Sequence, residues 1–272
     1  HVMGEIKAKN PTFTFDQILE ETKKKIVYTN HTLVAAGIHS YDRGLVEKYI
    51  TPIAAGFGFS TEDIIKLGLM DDGRFHTTKF ALNVSHIASS VSTPHGRLAK
   101  KEYPGYNWVN ITNGVYLPRW QQPEYTNMNI DDHTLWEIHK QKKHSLMREV
   151  TTRVGFGYDS DWLTISWARR VSGYKQLQAL FADIDRLQAM LTDPTRPIIL
   201  LIAGKAHPGD TAGKELIQSI ITHMKGKLSG HAMFVHNYDI ALASELVSGS
   251  DVWVNTPEWG KEASGTSGMK AI

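Results

Sequence analysis

Glu262-Ala263-Ser264-Gly265-Thr266-Ser267-Gly268-Met269-Lys270 sets a carboxylate eight positions before a lysine, with small residues between them. Such a loop combines backbone N–H groups able to converge on one anion, a hydrogen-bonding carboxylate and an amine able to form a Schiff base. A second group of charges, Arg169, Arg170 and Lys175, follows a short apolar run, and Lys205 follows another. Arginine grips phosphate through two parallel N–H bonds, and lysine supplies a point charge. Each feature also has a plain reading. A Gly/Ser/Thr loop alone is an ordinary turn, and a basic cluster alone is a solvated surface. Together they lead us to expect more than one phosphate group at this part of the molecule.

Elements must hold these residues in place. Asp251-Val252-Trp253-Val254-Asn255-Thr256-Pro257 reads as a short buried strand ended by proline, with a helix expected to open at Gly268. From Trp162 onward, short apolar strands alternate with amphipathic helices, as in βαβ units. The strands are 163–167, 198–202, 233–235 and the run at Asp251. The first intervening helix is expected to carry Leu177, Leu180, Ile184, Leu187 and Leu191 on one face, and the second Leu216, Ile217, Ile220, Ile221 and Met224. A short third helix carries Leu242 and Leu246. Each strand ends in a polar or glycine-containing segment, so four loops should gather on one edge of a parallel sheet.

The first half is less regular. Thr14-x-x-Gln17 has capping-box spacing and opens a helix with Ile18 and Leu19 on one face. Lys25 to Tyr28 reads as a strand running into the polar Thr29-Asn30-His31-Thr32. Residues 44–68 and 79–101 read mainly as helix, with Phe80, Val84, Ile87 and Val91 as its core face and 89–95 as a strand-like exit. Trp108 to Ile111 reads as a strand entering Thr112-Asn113-Gly114-Val115, where Asn-Gly is ordinarily a turn. Asp131 or Asp132 caps a long helix to about Val150, with Leu135, Ile138, Leu146 and Val150 inward and its Lys and His residues on a solvated face.

Composition narrows the function classes. The 272 residues are 41% hydrophobic, enough to bury a core, and 30 basic against 28 acidic residues exert no general pull toward nucleic acid or membrane. No basic stripe with interleaved aromatics supports nucleic-acid binding. There are no cysteines, so disulfides and thiolate metal sites are excluded, and a cytoplasmic location is expected. The thirteen histidines lack ligand spacing, so no metal is expected. No apolar run approaches the roughly 20 residues of a membrane helix, and no membrane partner is expected.

The nonamer 262–270 resembles the pyridoxal-phosphate segment of the α-glucan (glycogen, starch, maltodextrin) phosphorylases, whose pattern is E-A-S-G-T-x-x-M-K, with Gly268 closer to the archaeal and thermophilic-bacterial branch. Y-T-N-H-T (28–32), I-T-N-G-V…P-R-W (111–120) and R-R-V-S-G-Y-K (169–175) resemble further segments of that family. The resemblance implies Lys270 in Schiff-base linkage to the cofactor. It implies a cradle for the cofactor's 5′-phosphate at Gly265, Thr266, Ser267 and Gly268 with help from Arg169, and Tyr238 beside the pyridoxal ring. It assigns the substrate phosphate to Arg170 and Lys175, and glucose to His31, Asn113, Glu262, Ser264 and the Gly265 backbone. The implied reaction is phosphorolysis of an α-1,4-glucan by inorganic phosphate to glucose 1-phosphate.

The implied fold class is α/β and GT-B-like, with two Rossmann-type parallel-sheet domains incomplete at both ends. Residues 1–150 would be the C-terminal part of the N-terminal domain, and 151–272 the first half of the C-terminal domain. The family's glycine-rich phosphate loop, found early in the N-terminal domain, has no counterpart here. The chain is therefore expected to be the middle portion of such an enzyme, truncated or from a split or shortened gene, with little or no activity alone. A homo-oligomer or a complementing chain is the partner left open. Two alternatives stand beside this reading: a nucleotide-sugar glycosyltransferase of the GT-B fold, in which a carboxylate often stands where Lys270 does, and a non-catalytic glucan-binding module.

Overall fold

The structure, a computed structural model, describes residues 1–127 and 129–272, the side chain of Ala36 excepted. It divides into two compact units: residues 1–113 with 260–264, and residues 114–259 with 265–272.

In the first unit, α1 (Val2–Lys9) and α2 (Phe15–Lys23) precede β1 (Val27–Asn30). The expected capping box closes α2: Gln17 N–H donates to Thr14 Oγ1 at 3.3 Å, and Thr14 N–H donates to Gln17 Oε1 at 2.9 Å. Next come β2 (Ser40–Asp42), α3 (Arg43–Gly56), α4 (Thr61–Ile65), β3 (Arg74–His76) and α5 (Thr77–Asn83), with β2 and β3 antiparallel. Then β4 (Ile87–Ser90), α6 (Thr93–Glu102) and β5 (Trp108–Asn110) complete a parallel sheet in the order β1-β4-β5. One expectation fails here. Ile87 and Val91 do not continue a helix from Phe80: α5 ends at Asn83, and Ile87 pairs with Val27 in the central strand. Their spacing from Phe80 suits a helix, but the run 88–91 is buried because β4 is flanked on both sides.

The second unit opens with α7 (Leu117–Trp120) and α8 (Asp132–Val154), the latter capped by Asp131 Oδ1 accepting from Thr134 N–H at 2.9 Å. There follow β6 (Leu163–Ala168), α9 (Ile184–Leu191), β7 (Ile198–Ala203), α10 (Thr211–Lys225), β8 (Ala232–Val235), α11 (Ile240–Gly249), β9 (Val252–Trp253) and α12 (Thr266–Ala271). The sheet is parallel throughout, in the order β8-β7-β6-β9. This is Rossmann-like βαβ winding, and it places all four strand exits on one edge.

Two details differ from expectation. The helix after β6 is broken: Leu177–Phe181 is a 3₁₀ turn, and Asp183 caps α9 separately through Arg186 N–H. On α8, Leu135 is exposed while Lys143 is buried, so its Lys/His face is not wholly solvated. Leu146 and Val150 of α8, inward as expected, pack with Ile199, Leu201, Leu242 and Leu246. A face that docks on a sheet overrides the pattern of its polar residues.

Candidate functional site

In the first unit, three parallel strands deliver their exits to one edge. His31 follows β1 and is exposed. Asn113 follows β5, its N–H bonded to Val91 O at 3.0 Å and its Nδ2 donating to Ser264 Oγ at 2.9 Å. Ser92, after β4, accepts His95 N–H on its Oγ at 3.2 Å as the cap of α6 and donates to Ala263 O at 2.5 Å. The structure therefore brings the segment Glu262–Ser264 to Asn113, although 151 residues separate Asn113 from Ser264. Burial lowers the pKa of His95, and the neighbouring charge of His31 lowers it further.

In the second unit, the segment after β6 carries Arg169, Arg170 and Lys175. It still lies along the exit of β7, with Arg169 N–H bonded to Ala203 O at 3.1 Å and Val171 N–H to Lys205 O at 3.0 Å. Gly204 permits this approach: a Cβ there would sit 2.1 Å from Arg169 O. Arg169 and Lys175 are only 6% and 7% exposed, whereas Arg170 faces solvent. Cations held out of water at a strand exit stay in place only where the fold gives them polar partners, which fixes the position of their charge. Gln176, directly after Lys175, sits at φ 47°, and Asn237, directly before Tyr238, at φ 57°. Left-handed backbone at non-glycine residues beside the expected site residues is strain of the kind functional loops retain. Burial pushes the Tyr238 hydroxyl pKa up, and the charge of Arg169 partly offsets it.

Gly265, at φ 70°, caps α12, and Thr266, Ser267 and Gly268 form its first turn. The first N–H groups of a helix have no acceptor within it, so Thr266 and Ser267 present donors there, while Gly268 N–H donates to Gly265 O at 3.1 Å. The helix starts two residues earlier than the sequence reading placed it, which puts Thr266 and Ser267 inside that turn. Lys270 ends within α12. Burial lowers its pKa, and its Nζ lies 4.2 Å from the centre of the Trp120 ring. A partly desolvated amine carries less proton and is a better nucleophile toward a carbonyl. The amine borders a cavity of about 700 Å³ whose walls include Trp120, Tyr125, Leu135, Trp136 and Met269. That is room for a small aromatic ring beside the lysine. Among the described residues, no group of three or more His, Cys, Asp or Glu is placed to hold a metal ion, and no helix is long and apolar enough to cross a membrane.

The second unit holds Arg169, Arg170, Lys175, Tyr238, Gly265–Gly268 and Lys270, but of these only Lys270 lines the cavity described above. The first unit holds His31, Asn113, Glu262 and Ser264. Sequence reasoning missed Trp120, which stood in the quoted P-R-W string without a role, and it missed Ser92, Asn255 and Thr256. The polar pair at the strand end was the available signal for Asn255 and Thr256.

Comparison with known proteins adds an independent finding. Residues 123–272 match the family model described as carbohydrate phosphorylase. The chain is similar to a glycogen phosphorylase of Aquifex aeolicus, 30% identical over 95% of this chain and 44% of that protein. It is also similar to a glycogen phosphorylase of Mycobacterium tuberculosis, 30% identical over 94% of this chain and 36% of that one. A maltodextrin phosphorylase of Thermococcus litoralis is 29% identical over the same shares. The chain therefore spans well under half the length of these relatives.

Proposed function

Because this chain belongs to the carbohydrate phosphorylase family, we propose that it carries the cofactor- and phosphate-binding core of an α-glucan phosphorylase. That enzyme cleaves an α-1,4-glucan with inorganic phosphate to release glucose 1-phosphate. Each compact unit would then be part of one domain of a GT-B arrangement, with the β6–β9 sheet in the C-terminal domain. The carrying observation is Lys270: a half-buried amine of lowered pKa, over the Trp120 ring, bordering a cavity large enough for a pyridine ring.

The residues present fit pyridoxal phosphate. Lys270 would hold it covalently, Trp120 and Tyr238 would flank its ring, and Arg169 with the first turn of α12 would hold its 5′-phosphate. Bound there, the cofactor would supply, through its phosphate, the acid–base chemistry of the reaction. Arg170 and Lys175 would hold the substrate phosphate. Their charge, with that of Arg169, offsets the repulsion between two phosphates held close and stabilises charge developing as the glycosidic bond breaks. Lys175, buried at 7% exposure, keeps a fixed position for that purpose, while the exposed Arg170 is free to close on the anion. In the first unit, Asn113 and Ser264, already hydrogen-bonded to each other, would orient glucose hydroxyls together with His31 and Glu262.

The test is incubation with pyridoxal phosphate, borohydride reduction and mass-spectrometric mapping of the modified peptide. Modification concentrated at Lys270, and lost in Lys270→Ala, is expected. Scattered labelling of surface lysines, or none, overturns the reading and favours a glucan-binding module without cofactor.

A further inference from the structure

Two loops in the second unit must hold anions if the proposed function is right: residues 169–175 after β6, and residues 265–268 at the start of α12. Both are tied to the same short segment, the exit of β9. Val254 N–H still pairs with Ser166 O at 2.8 Å, so the segment leaves the sheet from a fixed point. Two residues on, the Thr256 hydroxyl accepts from the indole N–H of Trp167 at 3.1 Å and donates to Lys175 O at 2.8 Å. Glu258 N–H then donates to Tyr174 O at 2.7 Å, with Pro257 fixing the backbone between the two bonds. On the other side, Asn255 Oδ1 accepts from Ser267 Oγ at 3.1 Å. Its Nδ2 lies where a Cβ on Gly268 would come within 2.8 Å.

We propose that Asn255 and Thr256 are positioning residues for the two anion loops: Thr256 sets the Lys175 loop, and Asn255 sets the Gly265–Gly268 turn. The need for a brace is visible at Lys175. Its carbonyl precedes Gln176 in the left-handed region, a backbone state that L residues keep only when neighbouring contacts impose it. The Thr256 hydroxyl is one such contact, from outside the loop, beside the loop's own bonds from Gln176 N–H to Gly173 O at 3.1 Å and from Ala179 N–H to Gln176 O at 2.9 Å. The same hydroxyl satisfies the indole N–H of Trp167, which is fully buried and otherwise would lack an acceptor worth having. Trp167 belongs to β6, two residues before Arg169, so the brace joins strand, basic loop and β9 exit in one chain of hydrogen bonds. Asn255 acts differently. From an exposed position it accepts from the Ser267 hydroxyl and lies against Gly268 where a side chain would collide, so it sets that turn's position without entering the core.

This proposal rests on the phosphorylase reading, and the experiment separates the two. Wild type, Thr256→Val, Thr256→Ser, Trp167→Phe and Asn255→Ala are each titrated with pyridoxal phosphate, and borohydride-trapped Lys270 peptide is measured. Each is also titrated with inorganic phosphate, and protection of the exposed Arg170 from phenylglyoxal is measured. Thermal midpoints are recorded alongside. Thr256→Val is expected to raise the phosphate concentration for half-protection about tenfold, the effect of one lost hydrogen bond and one stranded buried N–H. It should move half-labelling of Lys270 by less than about twofold, and Thr256→Ser, which keeps the hydroxyl, should restore wild-type protection. Trp167→Phe, which keeps the aromatic packing, should shift phosphate in the same direction as Thr256→Val and gives the answer if the valine variant does not fold. Asn255→Ala, at an exposed site, should raise the cofactor concentration for half-labelling about tenfold, again by one hydrogen bond, and spare phosphate protection. Equal shifts in both titrations that track loss of thermal midpoint, or no shift in either, overturn the proposal while Lys270 labelling in wild type leaves the phosphorylase reading standing. Absence of Lys270 labelling in wild type overturns both.

Discussion

Replacing Asp251 with asparagine should destabilise the second unit at neutral pH and do so less in acid. Asp251 Oδ2 accepts from Lys143 Nζ at 2.7 Å and from Thr164 N–H at 2.7 Å, and Oδ1 meets His139 Nε2 at 2.8 Å. Lys143 also donates to Trp162 O at 2.9 Å. The network pins α8 to the starts of β6 and β9. Burial pushes the Asp251 pKa up, but the hydrogen bonds from His139, Lys143 and Thr164 outweigh it and hold it at about 2 against an ordinary 3.8. At 1.36 kcal/mol per pH unit, that difference makes the ionised form worth about 2.4 kcal/mol to the folded state at pH 7. Because the folded pKa is the lower one, this stability is complete above the unfolded value and is lost as pH falls toward 2. About 1.3 kcal/mol of it remains at pH 3. Asparagine keeps one acceptor but leaves the buried Lys143 without its carboxylate, so Asp251→Asn should cost about 3 kcal/mol at pH 7, the low end for breaking a buried pair. The gap between variant and wild type should then narrow by about 1 kcal/mol at pH 3. Urea unfolding followed by tryptophan fluorescence suits the measurement, since six of the seven tryptophans lie in the second unit. A gap that stays constant with pH, or a variant as stable as wild type, would refute the reasoning.

Three further outcomes are expected. Gly204→Ala should cost about 3 kcal/mol or more, because its Cβ would meet the Arg169 carbonyl oxygen, a backbone atom with no rotamer to change; thermal unfolding measures it, and a loss below about 1 kcal/mol counts against the close approach. Gln176→Gly should raise stability by about 0.5–1 kcal/mol, since relief of the left-handed strain exceeds glycine's added unfolded-state entropy; a lower urea midpoint would contradict it. Thr14→Ala should cost about 1 kcal/mol through the capping box of α2, read by the same urea titration, with no change in pyridoxal phosphate labelling of Lys270.

Local rules made much of the chain legible in the sequence. The Thr14 capping box, the Asp131 cap and the four strands of the second sheet follow from nearest-neighbour chemistry and from apolar runs too short to be helices. The Lys270 nonamer and the Arg169–Lys175 cluster stood out in the sequence as candidates, because phosphate and Schiff-base chemistry demand rare residue types at close spacing. Tertiary packing alone decided the rest. Burial by a neighbouring strand, not periodicity, made 87–90 a strand. The docking of α8 turned Lys143 inward to Asp251, over a separation of 108 residues. The Thr256–Lys175 and Asn113–Ser264 bonds join residues 81 and 151 positions apart, and no local pattern encodes them. The sequence by itself determined which groups could do the chemistry, since that depends on side-chain type. The fold decided which are buried and which backbone braces them, since those depend on contacts between segments that the chain order does not place together.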